Sequence, residues 1–589
     1  MGSDDTITDA DLSGPVVDRR TTIELLGAAG MAALAGCTGG GGGGGSDGSG
    51  GSGNGSGDGG GSSGGSGGSG NGSGGSDNGS DAGGNGSEAT ATPSSSQRGG
   101  RLSAAWYTGS IDVLDPPYIS VGQYFQVAGN VFNGLVTLKQ DLTVRGDLAK
   151  DWEVSDDGKT YTFDLREGVT FHNGTDFTAD DVKYTIDRTI SQEAPAASKL
   201  TTLKPVDDGG VVVKDDYTVE LGFEQAMAPA LIYLSRGPGR AATIVNKEAI
   251  EEMGADQYKV TPVGTGPFEV TDHQVGSGIT LDAFDDYFGT DAEGNSLPYL
   301  DGVDIQPIPE PATLVNALRS GDVDFSNLVP LQNVSKVENA DGVDKLTAPG
   351  VNWYGFAMNE RREPFGSRKA RLGIAKSIDN EAFVETAYFG NALPDVGPIN
   401  KATKWVWRDD KPGVQRHDPE KGKQLLEESG ATGASFSILA TKSNLRGAKA
   451  IRQQLNEAGL SVNIEQVTSS TYWERYEKGD YDTTISGSVG DPDPDQSLYN
   501  FYRKPEEGGV WNWVDFVDDR VHELLAEQRR TTDREQRKQV LRTLEDRLIE
   551  QVPHAYLMHQ DELAAKRSNV KGFTHIPYLR NFHTTWVDE

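Results

Sequence analysis

The chain has a single cysteine, Cys37, in 589 residues. No disulfide can staple the fold, and no thiol chemistry operates within it. Basic residues are also scarce, with 54 Lys and Arg against 88 Asp and Glu, for a formal net charge of −34. Nucleic-acid binding needs a basic footprint, so that class is excluded. The eight histidines form no His-Glu-x-x-His or other close metal pair, and His554 and His559 flank an expected strand. No metal and no cofactor is expected. Long hydrophobic runs are missing as well. The apolar stretch Ile23 to Ala35 is too short to cross a hydrocarbon core of ~30 Å as a helix.

The acids are dispersed in doublets such as Asp156-Asp157, Asp207-Asp208, Asp285-Asp286 and Asp518-Asp519. This reads as a well-hydrated halophilic surface rather than an acidic tail. Self-repulsion destabilises such a fold at low ionic strength, and a Debye length of ~3 Å at 1 M salt relieves it. The melting midpoint is therefore expected to rise between low and molar KCl. A curve that does not move contradicts the halophilic reading.

Arg19 and Arg20 precede the weakly apolar run, which closes on Leu34-Ala35-Gly36-Cys37. Paired arginines and small residues before a cleavage point read as a twin-arginine export signal over 1–36. The tetrapeptide resembles a lipobox, with Cys37 as the lipidated first residue. From there to residue 98 the chain is nearly all Gly, Ser, Asn and Asp, without an aromatic or large aliphatic side chain. Nothing there offsets the entropy of ordering, so 37–98 reads as a disordered tether reaching roughly 40–45 Å. Sequons at Asn54, Asn71, Asn78, Asn85, Asn173 and Asn333 permit glycosylation, which intact mass would reveal. The expected location is the outer face of the cell membrane, held by lipid.

Residues 99–589 are too many for one core. Strands are expected at Leu102 to Tyr107, Thr280 to Ala283, Val303 to Ile308 and Val462 to Val467. Hairpins are expected over 154–169 and 211–223. Helices are expected from Thr178, over Pro311 to Ser320, Asp418 to Ser429 and Gly447 to Gly459, and as a pair over 520–551. Strands and helices mix without strict alternation, so the class is α+β with local α/β units.

Several motifs are structural in kind. Gly264-Thr265-Gly266 lacks the third glycine of a dinucleotide loop, and Pro267 blocks the helix that should follow. Asp491-Pro492-Asp493-Pro494-Asp495 begins like a calcium loop, but Gln496 replaces its glycine and Tyr502 its final glutamate. Asp491 and Asp493 are too close in sequence to straddle a glycosidic bond. Enzymatic chemistry therefore has little to stand on, although turnover of a bound sugar or peptide would revive a tethered hydrolase.

The run Trp152 to Gly174, the helix start Thr178-Ala179-Asp180-Asp181-Val182 and the segment Val263 to Phe268 together form a longer pattern. Gly321-Asp322-Val323-Asp324, Pro364-Phe365 with Arg368 to Asp379, Asp418 to Gly430 and Gly490-Asp491-Pro492-Asp493 follow in order. The whole resembles the peptide/nickel-type (family 5) solute-binding proteins of ABC transporters, in a haloarchaeal form. The resemblance implies a two-lobed periplasmic-binding-protein-like fold (type II, cluster C-like). Lobe I would take 99–145, 259–350 and 564–589, with an extra subdomain at 146–258, and lobe II would take 351–563.

Ligand would lie between the lobes and be enclosed by hinge closure. Trp106, Tyr107, Trp405, Trp407, Trp511 and Trp513 are placed there as aromatic faces, with Ser488 and Asp491 from the loop 486–491. Peptide-binding relatives carry an aspartate where Ser488 stands, and a hydroxyl cannot neutralise a buried ammonium. Peptide is the ligand favoured by a narrow margin, with oligosaccharide close behind and a metal chelate further off. The implied partners are this small ligand, the transmembrane subunits of an ABC permease and the membrane through its lipid anchor. The implied protein is a monomer without catalysis, and a surface sensor is the rival to transport.

Overall fold

The computed structural model describes residues 93–94, 97–237, 240–504 and 511–588. Arg19, Arg20, Cys37 and most of the Gly/Ser segment lie outside them. Among the described residues no helix is long and apolar enough to cross a membrane.

Among the described residues three larger sheets, beside two small two-stranded ones, organise the chain. The first has seven strands, ordered Val343–Ala348, Glu562–Arg567, Phe325–Ser326, Arg101–Trp106, Gly302–Pro307, Gly278–Ala283, Phe268–Gln274. The second has six, ordered Ala392–Pro394, His554–Gln560, Trp353–Met358, Thr483–Ser488, Ser435–Ala440, Ser461–Gln466. Helices cover both, giving two lobes of mixed parallel and antiparallel pairing. The third sheet, Ala149–Val154, Thr160–Leu165, Thr218–Gly222 and Val211–Asp215, is wholly antiparallel and belongs to the extra subdomain.

Local rules explain the elements. In Thr160–Leu165 alternate residues Tyr161, Phe163 and Leu165 are buried while Asp164 is exposed, as period-two pleating demands. The helix Ala179–Ser191 starts where the Asp181 carboxylate accepts the Thr178 backbone N–H at 2.9 Å. Gly264 and Gly266 lie against the Val131 backbone, and a Cβ on either would meet its carbonyl group within 2.4 Å. His172 fixes that segment to the subdomain. Its Nδ1 accepts the Gly264 N–H at 3.3 Å, and its Nε2–H donates to the Gly266 carbonyl at 3.0 Å. Burial pushes this imidazole down to about 4, so the ring is neutral, as the acceptor nitrogen requires.

Two chain segments run from lobe to lobe, each joining a strand of the first sheet to one of the second. Val343–Ala348 pairs with Glu562–Arg567 in the first sheet, and their continuations Trp353–Met358 and His554–Gln560 pair in the second. At the junction Asn352 Nδ2 donates to the Gln560 carbonyl at 2.8 Å, and its Oδ1 accepts the Gln560 N–H at 2.7 Å. Gly350 is needed there because a Cβ would stand 2.0 Å from the Gln560 oxygen. His559 is tied to the same clasp, with Nδ1 2.6 Å from the Asn352 carbonyl and Nε2 2.7 Å from Asp395. Two short crossings held by one amide are the geometry of a hinge.

Candidate functional site

Four segments distant in sequence converge where the lobes face each other. The loop after Thr483–Ser488 comes from the second lobe. Gly490 turns it at φ +75°, and a Cβ there would fall 1.5 Å from the Val351 carbonyl oxygen, so only glycine lets the loop lie on that strand. The subdomain contributes Lys199, Tyr233 and Arg240, and the C-terminal tail contributes Tyr578. Val351 and Ala402 share a buried apolar cluster with Ile576 and Leu579, which holds these segments together.

Each acid of the Asp-Pro-Asp-Pro-Asp run has its own cation. Lys199 Nζ lies 2.9 Å from Asp491 across the lobes, with both side chains buried. Arg537 grips Asp493 through two bonds of 2.6 Å. Arg529 holds Asp495 at 2.8 Å, and the Tyr233 hydroxyl and Gln528 amide donate to the same carboxylate. Nothing is left over for calcium. Burial, and after it the Arg240 guanidinium, disfavour the Lys199 ammonium, and the nearby Asp495 carboxylate opposes them. The Tyr578 hydroxyl donates to the carbonyls of Val489 and Gly490, which clips the tail onto the second-lobe loop.

The aromatic platform expected from sequence is largely occupied by the protein itself. Trp106 is corrected outright: it is fully buried in the first-lobe core, between Phe325 and Phe582, and its Nε1–H donates to the Gln123 carbonyl at 2.8 Å. Leu102, Ala104 and Trp106 share one face of their strand, so period two already carried this signal. Tyr107 is half-buried at the strand's end, and its backbone N–H donates to Asn327 at 2.8 Å. Trp405 is half-buried beneath Arg534 and Arg537, at 5.2 and 5.6 Å. Trp407 carries the Lys411 ammonium 3.7 Å from its ring centre and meets His559 edge-on. Trp511 packs on Phe501, and Trp513 on Trp473 and Tyr476. All four rings are half-buried, each with one or more contacts inside the second lobe.

Ser488 is buried, and its hydroxyl accepts the Gly490 N–H at 3.0 Å, so it shapes the loop. Asp491 lies between the lobes, but with Lys199 on it. Sequence reasoning missed Lys199, Tyr233, Arg240 and Tyr578. A lysine 292 positions from its acid leaves no local pattern. The one available hint was Tyr578, an aromatic in a tail otherwise read as the end of lobe I.

Comparison with known proteins follows the same outline. Residues 143–509 match the family described as bacterial extracellular solute-binding proteins, family 5 Middle. The chain is 26% identical over 481 residues to the probable D,D-dipeptide-binding periplasmic protein DdpA of Escherichia coli K12, covering 79% of this chain and 90% of that protein. It is likewise 26% identical over 494 residues to the dipeptide-binding protein of the same strain, with coverages of 79% and 90%. The solved structure of the periplasmic binding protein DppA from Helicobacter pylori, in complex with the peptide STSA, superposes with a TM-score of 0.70. It is 24% identical and covers 84% of this chain and 99% of that one.

Proposed function

This chain belongs to family 5 of the bacterial extracellular solute-binding proteins, and from that premise we propose that it captures a peptide-class solute between its lobes and delivers it to an ABC permease. Capture would proceed by closure about the crossings at Asn352 and Gln560. Lobe I would comprise 99–145, 259–350 and 564–589 with the subdomain 146–258, and lobe II 351–563. The export signal at Arg19-Arg20 and lipidation at Cys37 would hold the protein at the outer face of the membrane on its Gly/Ser tether, as a halophilic monomer. The observation that carries the reading is the similarity to a dipeptide-binding protein over 90% of that protein's length. The cluster of Lys199, Asp491, Arg240 and Tyr578 between the lobes supports it. The aromatic rings named above pack in part against the protein's own side chains, which favours a peptide over an oligosaccharide.

A thermal-shift panel on the full chain in molar KCl tests this. Peptides are expected to raise the midpoint, because a ligand at a hundred times its Kd stabilises the folded state by about 2.7 kcal/mol. Oligosaccharides and metal chelates are expected to leave it unchanged. A shift with sugars alone contradicts the proposal.

A further inference from the structure

Among the described residues Arg240 leaves a positive charge without an ion pair beside the Lys199–Asp491 contact. Lys199 is matched by Asp491 at 2.9 Å. Arg240 has no such partner. Its Nη1–H donates to the Ile119 carbonyl at 2.5 Å and its guanidinium lies 5.8 Å over the Phe125 ring, which are a neutral acceptor and a neutral face. Among the described residues no carboxylate lies within ion-pair distance of it, and the Tyr578 phenol is its titratable neighbour. Burial holds that phenol well above its ordinary pKa, so it is neutral near pH 7. Glu562, an acid that acts on Tyr578, is taken by Arg580 at 3.3 Å. A part-buried guanidinium without an ion-pair partner is open to an incoming anion, and its planar fork is the protein group best shaped for a carboxylate.

The second half of the pattern is the position of Lys199. Its ammonium occupies Asp491, the acid of the second-lobe loop that faces the subdomain, so a ligand's amino group would have to displace a buried ion pair to reach it. Asp491 is therefore closed to a ligand's ammonium, while Arg240 is open to an anion.

We propose that the ligand of this cleft is a short peptide acid with a blocked amino terminus, whose carboxylate docks on Arg240 beside the Lys199–Asp491 pair. This rests on the solute-binding reading above and specifies its ligand. Lys199 then acts as the excluding residue and Arg240 as the recognising one. Replacing Arg240 gives up the bond to the Ile119 carbonyl and the Phe125 contact but no ion pair, so the variant is expected to fold.

Titration calorimetry on the full chain in molar KCl, with three probes, tests it: N-acetyl-alanyl-alanine, its carboxamide, and unblocked alanyl-alanine. The acetylated acid is expected to bind at least about tenfold more tightly than either of the others, the scale of one charge-assisted contact. In Arg240→Met the acid and the amide are expected to bind alike, and Arg240→Lys to recover part of the difference. Equal affinity of acid and amide for the wild-type chain, or a preference for the unblocked dipeptide, overturns the inference and leaves solute capture standing. Binding of none of the three, with none shifting the melting midpoint, overturns the peptide reading and this inference with it.

Discussion

Arg537→Ala is expected to lower the unfolding free energy by about 3–5 kcal/mol, read as a fall in the urea midpoint at constant slope. Arg537 and Asp493 are each only 5% exposed, and their two parallel bonds of 2.6 Å are the strongest geometry available to such a pair. Removing the cation strands a carboxylate in a place water cannot reach, and the cost is mainly that of the abandoned charge. Asp493 is also the N-cap of the helix Pro494–Tyr502, accepting the Asp495 N–H at 2.9 Å, so the loss spreads into that helix. Arg537 further donates to the Gln528 carbonyl and amide oxygens, at 3.0 and 2.8 Å, and both lose their donor. Molar salt is not expected to rescue the variant, because a buried pair is screened little. A loss below 1 kcal/mol, the value of an exposed pair, would show that water reaches Asp493.

Lys199→Met is expected to act on stability and on specificity together. Asp491 is 5% exposed and would lose its only cation within ion-pair distance among the described residues, at a cost of about 3–5 kcal/mol to the ligand-free protein. The freed carboxylate then becomes a receptor for a ligand's ammonium. Unblocked dipeptides are expected to bind Lys199→Met at least about tenfold more tightly than they bind the wild type. They should also return part of the lost midpoint through mass action. Stability lost with no gain for the unblocked peptide would mean that Asp491 is buried away from ligand, behind Lys199 rather than beneath it.

Much of the scaffold was legible in the sequence because its signals are local. The alternation Tyr161, Phe163, Leu165 gave a strand, Asp157-Gly158 its turn, and Thr178 with Asp181 the start of a helix, and these appear at the expected places. Pro311–Ser320 runs from its proline to the residue before Gly321, which takes the left-handed conformation at φ +85°. Candidate site residues were less legible, for two physical reasons. A tryptophan reads the same in a core as in a cleft unless strand parity is applied, and parity puts Trp106 with Leu102 and Ala104 in the core. Ion pairs between lobes are tertiary, so Asp491 stood out by its motif while Lys199 and Arg240 lay in segments with no periodic or compositional mark. The calcium-like spacing of Asp491, Asp493 and Asp495 arises because each acid answers a different cation, on the subdomain or on the helices Asp519–Arg530 and Arg534–Gln551.

Capture without chemistry is tested most directly by titrating the full chain in molar KCl with acetylated and unblocked dipeptides, then recovering the bound ligand for mass measurement. One site per chain and a ligand returned intact are predicted. Absence of heat with every peptide, or recovery of cleaved ligand, would contradict a solute-binding role.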